Sequence, residues 1–169
     1  TDTSILIILA LSQMIVILIR AIDLSVASNL ALSGMLISLL STVYPELPVY
    51  YFIALSCIIG TILGVLNGVS IAILKVPFIV TTLGTMSIYR GLIYFVSDGK
   101  QVYSSEFSED FLDLIHFKFL SLSFLFWLAV AVFIIFYILL NHTRFGRNLY
   151  SLGGNPDAAK YIGINENKY

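Results

Sequence analysis

The sequence predicts an all-α fold, a polytopic transmembrane bundle of about five spans, and three observations carry that expectation. Of its residues, 59% are hydrophobic and 11% charged, whereas a soluble domain carries about a quarter charged residues. Mean hydropathy is +0.96. The apolar residues also gather into runs near the roughly 20 residues that cross a bilayer core, separated by short polar segments.

The first apolar run covers residues 5–19 and stops at Arg20, where a polar-studded stretch ending in Asp23-Leu24-Ser25 begins. A second runs from residue 24 to about 42 and closes at Tyr44-Pro45-Glu46-Leu47-Pro48, whose two prolines mark a loop. The third, 49–74, is long enough to cross with some tilt. Lys75 and Pro77 end it and open the fourth, 78–96. Residues 98–118 are polar and acidic, with Phe107, Phe111, Leu112 and Ile115 spaced to give one apolar side, which predicts a surface helix lying against the membrane or the bundle. The fifth span covers 120–140 and includes Trp127. Residues 1–141 thus form the membrane region and 142–169 a polar cytoplasmic segment.

Lysine and arginine are retained on the cytoplasmic side of short loops. Arg20, Lys75 and the group Arg144, Arg147, Lys160 and Lys168 fall on alternate connections, while Glu46 and the acidic 98–118 segment occupy the others. Thr1 is therefore expected outside and Tyr169 inside.

Several function classes are disfavoured. A net charge of -1 gives no broad basic surface for nucleic acid. The single cysteine, Cys57, cannot form an internal disulfide and reads as a small apolar residue. No phosphate-cradling glycine loop followed by Lys-Ser/Thr is present. His116 and His142 have no neighbouring ligand cluster, and no nucleophile–base arrangement is visible. The chain is expected to bind no cofactor or metal and to catalyse no covalent chemistry.

The spans are nevertheless not uniform lipid anchors. Gly60, Gly64 and Gly68 recur at every fourth position, and such a face lets another helix backbone approach closely. Asn67 sits beside it, and an amide in lipid needs a partner: it either bonds between helices or lines a polar path. Ser25, Asn29 and Ser33 form a polar stripe at the same spacing. Asp23, just before it, either caps the second helix or stands as a gating carboxylate at the cytoplasmic end of a path. Arg90 lies beyond the midplane of the fourth span; it either snorkels to the outer interface or faces the path or an internal partner.

The tail contains a punctuated two-turn helix: Asn155 suits the N-cap, Pro156 the first position, Asp157 the positive helix end and Gly163 a left-handed terminus. It reads as a loop helix packed on its own bundle, or as a docking element in which Ala158 and Ala159 allow close seating in a partner.

The ordered series Ile22-Asp23-Leu24-Ser25, Asn67-Gly68, Pro77 through Met86, Arg90-Gly91, Phe145-Gly146-Arg147 and Gly153-Gly154-Asn155 with Ala158-Ala159 and Gly163 resembles the membrane permeases of ribose-type ABC sugar importers. The resemblance covers nearly the whole chain. It implies an internal fragment, with one span missing before Thr1 and several after Tyr169. Ribose permeases usually have glycines where this chain has Arg20, Ala21 and Ala27, and residues 20–35 look closer to the rhamnose branch, with autoinducer-type importers also near.

What the resemblance implies is a subunit that carries a monosaccharide inward between two permease chains, in a homodimer or heterodimer. Gly153, Gly154, Asn155, Ala158, Ala159 and Gly163 would form the element seated on a separate ATPase, which uses the ATP. An extracellular or periplasmic sugar-binding protein would deliver the substrate. An ion-coupled secondary transporter would also explain Arg90 but needs a coupling-ion site, for which acidic residues within the spans are few. A membrane scaffold would explain the glycine face alone.

Overall fold

The computed structural model describes residues 2–103, 106–107 and 109–164. Thr1, Lys168 and Tyr169, used for the orientation expectation, lie outside the described residues, as does the Ile115 side chain. The described chain is mainly helical: α1 (Asp2–Leu18), α2 (Val26–Val43), α3 (Val49–Ala72), α4 (Phe78–Ser97), α5 (Glu109–His116), α6 (Phe124–His142), α7 (Arg144–Gly154) and α8 (Pro156–Tyr161). Among the described residues, α2, α3, α4 and α6 are long and apolar enough to cross a membrane, and α1 is a shorter apolar helix. Its 17 residues reach about 25 Å at the α-helical rise.

Two compact units divide the chain. One takes the described residues of Thr1–Asp23 and Lys118–Tyr169, and so holds α1, α6, α7 and α8. The other, Leu24–Phe117, holds α2 to α5.

In the second unit Leu32, Leu63 and Tyr89 form the core, with Leu36, Ile59 and Ile93 packed around them. Most of the remaining apolar surface points outward: Ile58, Ile62, Val65, Leu66 and Val69 of α3 are all exposed. An apolar patch of that extent does not persist against water on a soluble monomer. Against lipid tails it is the solvated face. The serines and threonines within these helices mostly bond back to carbonyls three or four residues earlier, as Ser33 does to Asn29 and Thr82 to Phe78, so their hydroxyls meet no bare hydrocarbon.

Two local expectations need correction. Among the described residues of the amphipathic surface helix expected across 98–118, the α-helix is α5, where Phe111 meets Phe107 at 4.9 Å and Phe52 of α3 at 6.3 Å between ring centroids. The chain leaves α4 through Asp98 and Gly99, both at positive φ, and these break the helix before the apolar spacing can be used. The fifth span begins at Phe124 rather than residue 120, because Lys118–Phe119 pairs antiparallel with Leu122–Ser123 as a two-stranded hairpin, β1 and β2. Its turn residues, Leu120 and Ser121, have φ of 50° and 63°, the primed-turn conformation that tight hairpins use. The Trp127 indole donates to the Phe119 carbonyl at 3.1 Å and ties the hairpin to α6.

Candidate functional site

The polar side chains of the second unit converge where α2, α3 and α4 meet. The Asn67 amide of α3 donates to the Ser25 hydroxyl at 2.7 Å, and both residues are buried. One turn along, the Asn29 amide donates to the Gly60 carbonyl at 3.3 Å, and the Ser33 hydroxyl donates to the Asn29 backbone carbonyl at 2.6 Å. The Tyr89 hydroxyl of α4 donates to the Leu63 carbonyl at 2.8 Å. The structure thus turns the Ser25–Asn29–Ser33 stripe onto α3 and joins α4 to the same helix. Asn67 Oδ1 in this seam and Thr81 Oγ1 of α4 are buried without a hydrogen-bond partner among the described residues.

Gly60 alone of the three glycines meets this packing: a Cβ there would lie 3.7 Å from Ser33 Oγ and 3.8 Å from Asn29 Oδ1. Gly64 and Gly68 have nothing within 4 Å on that side. Arg90 is exposed on α4, roughly 18 Å from the helix start at the α-helical rise.

Helix α2 starts at Val26, and its N-cap residue Ser25, in αR geometry, makes no side-chain cap hydrogen bond. Asp23 belongs to the unit that contains α1, where its carbonyl accepts from the Gln13 amide at 3.0 Å. Ser25 and Asn29 belong to the other unit.

The tail is more ordered than its composition suggests. Thr143 caps α7, its hydroxyl oxygen accepting from the Gly146 amide at 3.2 Å. Leu149 and Leu152 are buried while Arg144 and Arg147 are exposed. Helix α7 was missed in the sequence because its three glycines read as loop. The Thr143 cap and the Gly146, Leu149 and Leu152 spacing were the available signals. Gly153 and Gly154 consequently end one helix as well as precede the next.

At α8 the Asn155 carboxamide oxygen accepts from the Ala158 amide at 3.0 Å, Pro156 holds the first position, and Asp157 sits in the first turn. Gly163 has φ +83°, and the Gly163 and Ile164 amides bond the Lys160 and Ala159 carbonyls, both at 3.0 Å. That pair of bonds closes the helix in the left-handed manner glycine favours. The two alanines differ: Ala158 is exposed, whereas Ala159 is buried within its own unit and offers no surface to a partner.

Chemically, the arrangement supplies hydrogen-bonded helix seams and a capped polar element. No group of three or more His, Cys, Asp or Glu that could hold a metal occurs among the described residues. The family model described as branched-chain amino acid transport system / permease component matches residues 1–169. The ribose import permease protein of Haemophilus influenzae is 38% identical over 99% of this chain and 52% of its own length. The galactose/methyl galactoside import permease protein of Escherichia coli is 34% identical over 98% of this chain and 54% of its own. The L-arabinose ABC transporter permease protein of Azospirillum brasilense is 37% identical over 92% and 45%. The chain therefore spans about half the length of the curated relatives it matches. No solved structure matches it. By a match that runs its full length, this chain belongs to the family of branched-chain amino acid transport system permease components.

Proposed function

We propose that this chain is a membrane-spanning portion of the permease subunit of an ABC importer that brings a monosaccharide into the cytoplasm. One observation carries the reading: the family match covers every residue, and relatives 34% to 38% identical over the aligned region bear the names of sugar permeases. The physical arrangement supports it. Apolar helices with lipid-ready faces lead into a tail whose two short helices are capped at both starts.

In this reading residue 1 lies outside and the tail inside, because Arg144, Arg147 and Lys160 cluster there. A separate ATPase binds and hydrolyses ATP and seats on α8, with exposed Ala158 at the contact. A second permease chain completes the path, and an extracytoplasmic binding protein delivers the sugar. The substrate is a pentose or hexose of the ribose, galactose, arabinose or rhamnose kind. Asp23 and Arg90 are the ionised candidates for the path or its gating. Ser25, Asn29 and Asn67 contribute by holding α2 and α3 together beside it, and the open face at Gly64 and Gly68 is available for another helix.

The test is co-purification of the full-length permease with its ATPase, followed by uptake of radiolabelled ribose, arabinose, galactose and rhamnose into proteoliposomes. The reading expects a nucleotide-binding partner and ATP-dependent accumulation of at least one of these sugars. An ion gradient that drives uptake with no ATPase bound would point to a secondary transporter instead.

A further inference from the structure

The end of α1 and the end of α7 are fastened to each other by two neighbouring contacts. Helix α1 closes with the Arg20 amide bonded to the Ile17 carbonyl at 2.9 Å and the Ala21 amide to the Val16 carbonyl at 3.0 Å. This closure places Arg20 at φ +62°, a left-handed position at which glycine is unstrained and a side chain is not. The strained residue has a use for its side chain. Its Nη2 donates to the carbonyl of Gly154, the last residue of α7, at 2.8 Å. The final carbonyls of a helix have no partner within it and carry its negative end, so a guanidinium there satisfies both.

Beside this contact, Gly153 lies so close to α1 that a Cβ on it would overlap the Leu18 carbonyl oxygen. Gly154, by contrast, has open space where a Cβ would stand. Two contacts from consecutive residues resist rotation as well as separation. Helix α8 follows directly, its N-cap Asn155 bonded through its amide to the Ser151 carbonyl of α7 at 3.0 Å.

We infer that Arg20 is a positioning residue that ties the α7–α8 element to the end of α1, so that a load applied at α8 is delivered to α1. The tie is a property of the chain itself, while its use in transport rests on the importer reading. Arg20 takes no part in holding substrate or nucleotide in this account; it acts through Gly154 and α7. Gly153 supplies the close seat that the tie requires.

The test uses the full-length permease with its ATPase and binding protein, comparing wild type with Arg20→Gly, Arg20→Lys, Gly153→Ala and Gly154→Ala. Glycine suits the α1 turn, so Arg20→Gly removes the tether without disturbing the backbone. Hydrogen exchange across residues 144–163 should rise about fivefold in Arg20→Gly and stay within about twofold of wild type in Arg20→Lys and Gly154→Ala, the scale of one hydrogen bond. Gly153→Ala should behave as Arg20→Gly does. If it does not accumulate in the membrane while Gly154→Ala does, the close seat is upheld and Arg20→Gly decides the tether.

The second readout is sugar accumulated per ATP hydrolysed, with whichever of ribose, arabinose or galactose the wild type takes up. It should fall in Arg20→Gly, with the ATPase still bound, and recover in Arg20→Lys. Unchanged exchange in Arg20→Gly would overturn the tie. Raised exchange with unchanged yield per ATP would overturn the delivery of load. A wild type that binds no ATPase would count against the importer reading, and the exchange readout would still judge the tie.

Discussion

At the residue scale the informative feature is how the intramembrane polar side chains are spent. The Asn67–Ser25 bond is buried between two helices, and hydrogen bonds of this kind in membrane proteins contribute about 0.6 kcal/mol on average and up to about 1.7. A double-mutant cycle with Asn67→Ala and Ser25→Ala should therefore show a coupling of about 0.5–1.5 kcal/mol in thermal unfolding in detergent. Additive effects would mean that the two side chains do not meet. Gly60→Ala belongs with these as a control, since its Cβ would find ordinary van der Waals distances and should leave stability nearly unchanged. Arg90 behaves differently from the seam because it is exposed on α4. On a background lacking Cys57, Arg90→Cys should react with a membrane-impermeant thiol reagent if that face meets a watery path or the outer interface. Complete protection would place it against lipid or a partner helix.

At the element scale, the long apolar runs were legible because hydropathy and length alone specify a span in lipid, where the backbone must satisfy itself. The helices α2, α3 and α4 start and stop within about two residues of the runs read from the sequence, a scatter ordinary for helix ends. What escaped was local geometry that leaves no compositional mark. Leu120 and Ser121 adopt a primed turn without the glycine or asparagine that normally announces one. The N-cap position of α2 falls to Ser25, two residues after Asp23. Helix α7 hid behind its glycines, whereas α8 was readable because Asn155, Pro156 and Gly163 each hold a position that suits them. Removing the α8 cap with Asn155→Ala should cost about 1 kcal/mol. The expected sign is faster proteolysis between α7 and α8 with the membrane helices intact; an unaltered cleavage rate would mean that the carboxamide does not hold the turn. Ala158→Trp should weaken ATPase association, since Ala158 is the exposed alanine of α8, while equal recovery of the ATPase would remove that surface from the contact.

At the scale of the whole molecule, two units can be described separately, one built around the Leu32–Leu63–Tyr89 core and one carrying the capped tail. Membership of the permease-component family rests on a match over the complete chain. The candidate residues were only partly legible in the sequence, because spacing reveals which side chains share a face and not what that face meets. Ser25, Asn29 and Asn67 share a face with one another's helices. Arg90 is exposed on α4, and Asp23 falls in the other unit.

The claim on which the functional account depends is that these helices thread the bilayer and leave α7 and α8 facing the cytosol. The most direct measurement is labelling of a single cysteine, introduced as Tyr150→Cys into the full-length protein lacking Cys57, with an impermeant maleimide before and after permeabilising the cells. The account predicts labelling only after permeabilisation. Labelling in intact cells would put the tail outside, beyond reach of any ATPase, and contradict it.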